Sequence, residues 1–144
     1  MVELQNRTYL ALDYGRRRIG VAKSDPTGSI ATAVETLTVK SEQEAVRKVL
    51  KLIEDFRPAG LVVGYPLLDS GEPSDMCREI EQFLDKLTAE YSGPIFRVDE
   101  SGSSLEAASI VHEHGKRAGR KKDRLDRLAA VLILERFLKE GHIR

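Results

Sequence analysis

The chain has 144 residues, of which 41% are hydrophobic and 32% are charged, and its 23 basic residues balance its 23 acidic ones. That length suits a single domain over residues 1–144, and these fractions exclude a disordered chain and a membrane-spanning one. The one cysteine, Cys77, excludes an internal disulfide and a cysteine-based metal site. With no signal-peptide features near its start, we expect a cytoplasmic protein without membrane contacts.

The first half of the sequence predicts a hairpin-connected sheet followed by a helix. Strands are expected at residues 9–12, 18–24 and 30–37, with the turn DPTG between the second and the third. They form an antiparallel meander. Ser41 and Glu44 make a capping box, and the apolar residues after it share one helical face until Pro58.

The second half alternates strand and helix. Strands are predicted at residues 61–63 and 95–98, with a helix between them that has Pro73 in its first turn. Ser103 and Glu106 form a second capping box for a helix that runs to about His112, and a last helix follows at 123–139. The order β-β-β-α-β-α-β-α-α predicts an α/β fold with a mixed five-stranded sheet and helices on both faces.

Acidic residues occur at three places that this topology brings to one edge of the sheet. Asp13 ends the first strand, and Asp99 and Glu100 end the last one. Asp126, one turn before Ala129 and Ala130 in the last helix, is expected to extend toward them, while Asp123 is expected to face solvent. Oxygen ligands of this kind suit Mg²⁺ or Mn²⁺, and such ions support phosphodiester cleavage.

Each acid taken alone has an ordinary structural explanation. Asp13 before Gly15 fits turn chemistry, Asp99 and Glu100 fit a polar cap before the next helix, and Asp126 fits a favourable charge near a helix start. The convergence of all three at one edge is what favours a catalytic site.

Two basic clusters predict a nucleic-acid partner despite the zero net charge. One is Arg16, Arg17 and Arg18, directly after the first acid. The other is KRAGRKKDR (residues 116–124), expected to be a loop, whose cations include Lys116, Arg117, Arg120, Lys121 and Lys122. Local charge rather than net charge determines what a surface attracts. A solvated loop is the alternative interpretation of the second cluster.

Four segments together resemble one protein family over nearly the whole chain. LALDYGRRRIGVAKSDPTG, LVVGYPLLDSGEPS, VDES and GRKKDRLDRLAAVLIL are similar to the signature segments of the YqgF family, also called RuvX. The resemblance implies a ribonuclease H-like fold and a nuclease that matures the 5′ end of 16S ribosomal RNA. It implies catalytic and metal-binding roles for Asp13, Glu100 and Asp126, with Asp99 beside Glu100, and it places the turn at residues 64–66 on the substrate face.

The chain departs from the family at one point. Family members read DERLTT or DERLSS where this sequence reads DESGSS, so Ser101 and Gly102 replace an arginine and a leucine. That arginine could neutralise the acids or contact phosphate, and its loss bears on catalytic efficiency.

Three function classes remain open from the sequence. The first is a metal-dependent endonuclease on precursor ribosomal RNA, and within the same chemistry the second choice is a Holliday junction resolvase on four-way DNA. The other classes are a nucleic-acid-binding module without catalysis and an actin-like kinase, for which one domain of this size is too small. We expect a monomer or a weak homodimer.

Overall fold

The fold is built on one sheet with a helix layer on each face. The computed structural model describes residues 7–100 and 118–143 of the chain. In that part, the strands are β1 (Tyr9–Asp13), β2 (Arg18–Ser24), β3 (Ala31–Thr38), β4 (Gly60–Tyr65) and β5 (Ile95–Asp99). The helices are α1 (Glu42–Phe56), α2 (Asp75–Leu87) and α3 (Ala118–Glu140).

The strand order is β3-β2-β1-β4-β5. β1 pairs antiparallel with β2, and β2 with β3, which confirms the predicted meander. β1 pairs parallel with β4, and β4 with β5, so the sheet is mixed as predicted. The carboxyl ends of β1, β4 and β5 therefore lie at one edge of the sheet, together with the start of β2 and the end of β3.

Side-chain size distinguishes the two faces of the sheet. On one face, large residues such as Leu12, Ile19 and Val63 pack against α1 and α2. On the other face, smaller residues such as Ala11 and Ala22 pack against α3. Because side chains alternate along a strand, each strand contributes to both layers. The small residues leave room for α3 to lie close to the sheet.

The closest approach of α3 to the sheet is at Gly20 in β2. A Cβ atom built on Gly20 would overlap the backbone carbonyl of Asp126. Ala130 is fully buried in this interface, as the sequence predicts. The contact that fixes the helix is nevertheless on the strand side, where only a glycine leaves space for a helix backbone.

The helix starts differ from the sequence predictions at three points. At α1, Ser41 Oγ accepts from the Glu44 N–H at 3.1 Å, while the Glu44 carboxylate pairs with Lys48 at 3.3 Å and accepts from the backbone N–H of Lys40, one residue before the cap. At α2, Pro73 lies before the helix, because it forms a β-bridge with Leu67.

The third difference is at α3, which begins at Ala118 instead of residue 123. Lysine, arginine and alanine are good helix formers, so the second half of the predicted basic loop is helical. The helix predicted after Ser103 lies in residues 101–117, outside the described residues, as do Ser101 and Gly102.

Gly20→Ala tests the close approach of α3. The new methyl group meets helix backbone, which cannot rotate away, so we expect a loss of stability of about 1–3 kcal/mol or more. Thermal unfolding measures it. Gly60→Ala is the matched control, because its Cβ would meet the edge of the Phe96 ring at 3.0 Å, and a side chain can shift. Equal melting temperatures for the two variants would contradict this account.

Candidate active site

Asp13 and Glu100 meet at the carboxyl edge of the sheet although a strand lies between theirs. β4 separates β1 from β5, and Gly64 is the β4 residue beneath the Glu100 side chain. A Cβ atom at Gly64 would lie 2.9 Å from both Cδ and Oε2 of Glu100 and 2.5 Å from Cδ1 of Ile133. The glycine therefore supplies the space in which the two carboxyl groups come into contact.

The two carboxyl groups are hydrogen-bonded to each other in this arrangement. Asp13 donates a side-chain hydrogen bond to Glu100, and the pKa of Asp13 is raised well above its ordinary value. The main cause is desolvation, followed by the charges of Glu100 and Asp126. Desolvation also raises the pKa of Glu100, to about 7, with a further contribution from Asp99 and an opposing one from the Asp13 hydrogen bond. Burial and like charge thus both disfavour two bare carboxylates here.

Asp126 approaches this pair from α3 and is held by an arginine. Its Oδ2 accepts from Arg18 Nε at 2.9 Å, and its charge is close enough to raise the pKa of Asp13. The backbone at Asp126 is fixed above Gly20, which is the direct register partner of Asp13. The structure therefore brings all three predicted acid positions to one edge, with Asp126 neutralised by Arg18.

Asp99 is directed differently from Glu100. Phe96 and Val98 face α3, so strand alternation places Asp99 on the opposite face with Arg97, which binds Glu81 of α2 at 2.6 Å. Its backbone carbonyl accepts from Arg136 Nη1 at 2.7 Å. Asp99 influences the site because its negative charge helps to raise the pKa of Glu100.

The turn at residues 64–66 is divided in the same way. Gly64 lies at the acid pair, whereas the Tyr65 hydroxyl is hydrogen-bonded to Glu81 of α2. Desolvation and that bond raise the pKa of Tyr65 to about 12. At the acidic edge, Gly64 therefore contributes space, and Tyr65 contributes its backbone carbonyl, which accepts from the Glu100 N–H at 3.2 Å.

The acid pair fits a divalent cation better than the three acids together do. Asp13 and Glu100 offer only oxygen donors, and a hard cation between them would offset both the desolvation and the repulsion that raise their pKa values. In the described part of the chain, no three Asp, Glu, His or Cys side chains form a group that could hold a metal. Asp126 Oδ2 is paired with Arg18 Nε at 2.9 Å, so the charge of the third acid is already balanced.

The arginine cluster after Asp13 separates in three directions. Arg16 forms a two-pronged ion pair with Glu79 of α2, both bonds at 2.7 Å. Arg17 is exposed, and Arg18 binds Asp126. In the second cluster, Lys121 and Lys122 are partly buried near the start of α3. Lys116, Arg117 and the side chain of Arg120 lie outside the described residues.

Sequence reasoning did not assign Gly20 to the site, and it placed the turn at residues 64–66 on the substrate face without giving Gly64 a role. Their signal is a glycine within a strand pattern, which indicates a bulge or a close approach of another group. It also did not predict the Arg18–Asp126 pair, whose members are 108 positions apart. Asp123, expected to face solvent, is partly buried, and its backbone carbonyl accepts from Thr36 Oγ1 at 2.6 Å.

The acid pair predicts an unusual pH dependence of stability without metal. The pKa of Glu100 is about 7 in the folded protein and 4.5 as its ordinary value, so the folded state holds a proton that the unfolded state releases. The free energy of unfolding should therefore fall as the pH rises from about 4.5 to about 7, by on the order of 1–3 kcal/mol. Denaturant unfolding in EDTA measures this fall.

Glu100→Gln should reduce that fall, because an amide does not titrate. Glu135→Gln, at an exposed position on α3, should leave it unchanged. A free energy that is flat or rises over this pH range in the parent would rule out a desolvated acid pair.

Comparison with known proteins places this geometry in a family. A family model described as "RuvX: Holliday junction resolvase" matches residues 7–140. A relative from Oleidesulfovibrio alaskensis is 38% identical over 130 residues, covering 90% of each chain. One from Chromohalobacter salexigens is 36% identical over 140 residues, covering 97% of this chain and 95% of the relative. Both relatives are named "Putative pre-16S rRNA nuclease".

Solved structures share the fold at low sequence identity. Thermus thermophilus RuvC, in complex with a Holliday junction substrate, has a TM-score of 0.56 and 16% identity, with 94% of this chain and 97% of that one covered. The fowlpox virus Holliday junction resolvase has a TM-score of 0.54 and 14% identity, with 92% and 98% covered. The predicted ribonuclease H-like fold is confirmed. So is the family predicted from the sequence motifs: the chain belongs to the RuvX family.

Proposed function

We propose that this chain is a divalent-metal-dependent endonuclease that hydrolyses phosphodiester bonds in ribosomal RNA precursors at the 5′ end of 16S RNA. The observation that carries the proposal is the contact between Asp13 and Glu100, two acids held together where desolvation raises the pKa of both. A fold does not support such a pair for stability, because the charged forms repel each other.

The proposed cofactor is Mg²⁺ or Mn²⁺, which Asp13 and Glu100 would hold, and Asp126, now paired with Arg18, would be the third acid near the ion. Such an ion supplies water activation and stabilises the charge that develops on the phosphate oxygens. The protein residues contribute rigidity and charge balance. Asp13 lies at the end of a buried strand, and the Glu100 side chain packs against Gly64. Asp126 is positioned by a helix whose backbone contacts Gly20.

Arg18 balances charge at the third acid. Its guanidinium neutralises Asp126 through Nε, and the pair is partly exposed, with 33% and 24% of the two side chains accessible. A guanidinium at this position can hold the carboxylate before the site is filled and contact a phosphate afterwards. The pair therefore links the acidic edge to the substrate surface.

The substrate assignment follows from the relatives, and a second candidate follows from the family description. The two relatives are named for pre-16S ribosomal RNA, and the family model is described as a Holliday junction resolvase. Symmetric cleavage of a four-way junction requires two copies of a site, whereas a monomer suffices for cutting one RNA strand. A monomer or weak homodimer is therefore proposed.

Cellular location is proposed on the same basis. Across the described residues, no helix is long and apolar enough to cross a membrane. Processing of ribosomal RNA in a bacterium takes place in the cytoplasm, and that is the compartment that the proposal assigns to this chain.

A cleavage assay on matched substrates tests the proposal. Purified protein with Mg²⁺ or Mn²⁺ is incubated with labelled precursor 16S RNA and with a four-way DNA junction of comparable length. We expect cleavage of the RNA near the mature 5′ end. Asp13→Asn and Asp126→Asn should lower the rate by at least about a hundredfold, because each removes negative charge from the proposed metal site.

Glu135→Gln is the matched control, since it removes the same charge from an exposed position of α3. It is better suited than Asp123→Asn because Asp123 is partly buried. Preferential cleavage of the four-way junction would show that the substrate is DNA and would contradict the proposed RNA substrate. Parent-like cleavage by Asp13→Asn would show that the acid pair is not the active site, and no cleavage by the parent would favour a binding module.

A further inference from the structure

A groove opens beside the acidic edge, between the start of β2 and the end of β3. It is lined by Arg17, Arg18, Thr38, Val39, Lys40 and Asp123. Its walls are fixed by the sheet, because Arg18 and Thr38 are register partners and the Val39 N–H donates to the Arg17 carbonyl at 2.8 Å. The cations of this groove are therefore held on a rigid base.

The charges in the groove are not balanced internally. Arg18 is neutralised by Asp126, which leaves Arg17 and Lys40 facing one acid, Asp123. Arg17 and Lys40 are both exposed, and neither forms an ion pair with a side chain that the structure describes. Arg16, their neighbour in sequence, differs because Glu79 already occupies its guanidinium.

We infer that this groove binds a phosphate of the nucleic-acid strand on one side of the cleavage point, with Arg17 and Lys40 as the binding cations. The inference rests on the proposed nuclease function and adds a phosphate subsite to it. Two cations that line one groove, with a single acid beside them and no ion pair to a described side chain, suit the negative charge of a phosphodiester.

The position of the groove agrees with this assignment. β3 is two strands from β1, so the groove lies about 10 Å from Asp13 along the same edge, given a strand spacing of about 4.8 Å. A strand that crosses this edge would therefore place a phosphate further along the chain, beyond the one next to the scissile phosphate, at the groove when the scissile phosphate is at the acid pair. Arg18 lies between the two and lines the groove while it contacts Asp126.

Arg16 does not belong to this subsite. Arg16 is tied to α2, on the face of the sheet away from α3 and the acid pair. A phosphate bound by Arg16 would have to displace Glu79, whose two bonds at 2.7 Å hold both sides of the guanidinium. Only part of the arginine cluster is thus assigned to the substrate.

Binding of a labelled single-stranded RNA of about 20 nucleotides in EDTA tests the groove without cleavage. Fluorescence anisotropy at salt concentrations from about 50 to 200 mM gives affinity and its salt dependence. The double variant Arg17→Ala/Lys40→Ala should raise Kd at least about tenfold and reduce the salt slope by about 1–2 units, since each lost phosphate contact removes about one. Asp123→Asn should tighten binding, because it removes the acid of the groove.

The controls separate the subsite from general charge effects. Arg16→Ala and Lys139→Ala each remove one positive charge away from the groove, Lys139 at the far end of α3, and should change the slope little. A double variant with parent-like affinity and slope would overturn the groove while leaving the nuclease proposal intact. Equal losses for the double variant and for Lys139→Ala would also overturn it. A parent that binds no RNA would remove both proposals.

Discussion

The contact between Asp13 and Glu100 is the constraint on which the rest of the molecule depends. Two acids that repel each other, both partly removed from water, are unfavourable unless the fold forces them together. Here the parallel strands bring the two acids to the same edge of the sheet, and a glycine on the strand between them leaves space for the contact. Every other feature of this edge either holds the acids in place or balances their charge.

The two glycines of the sheet make this arrangement possible from opposite sides. Gly64 leaves room for the Glu100 carboxylate, and Gly20 leaves room for the backbone of α3, which carries Asp126 to the same edge. Glycine within a strand lowers stability. At both points a larger residue would overlap the groups that form the acidic edge, so glycine is required there despite its cost. The small residues on the α3 face, Ala11 and Ala22, extend the same close packing along the sheet.

Charge is distributed so that the unfavourable site is surrounded by neutralised neighbours. Arg18 pairs with Asp126, Arg16 with Glu79, and Arg97 with Glu81. The ion pairs of α2 lie on the opposite face of the sheet from the acid pair. Among the described residues beside the acids, the groove carries Arg17 and Lys40, and in the proposed subsite these cations would attract an anionic strand next to the point where the acids meet.

Much of the fold could be predicted from the sequence because local patterns determine it. Alternation over residues 18–24 gives the bounds of β2, and the Ser41 cap marks the start of α1. The predicted start of α3 was wrong. A run of cations has no apolar periodicity that would indicate a helix, although lysine and arginine form helices well. The single-domain prediction over residues 1–144 stays a prediction.

The site was predictable only in part. Strand order placed Asp13 and Glu100 at one edge, because parallel strands end together. That they touch depends on Gly64 of β4, and that Asp126 is neutralised depends on Arg18, 108 positions earlier. Such contacts arise from tertiary packing and have no signal in local spacing, so the separation of Asp99 from Glu100 and of Arg16 from Arg18 also required the structure.

A count of bound Mn²⁺ tests the central claim most directly. Electron paramagnetic resonance of free Mn²⁺, titrated at pH 8 into the parent and into Asp13→Asn/Glu100→Gln, measures binding without substrate or turnover. The account predicts at least one Mn²⁺ held by the parent, and none held comparably by the double variant, because the variant lacks both charges of the acid pair. Equal Mn²⁺ binding by the two proteins would contradict it.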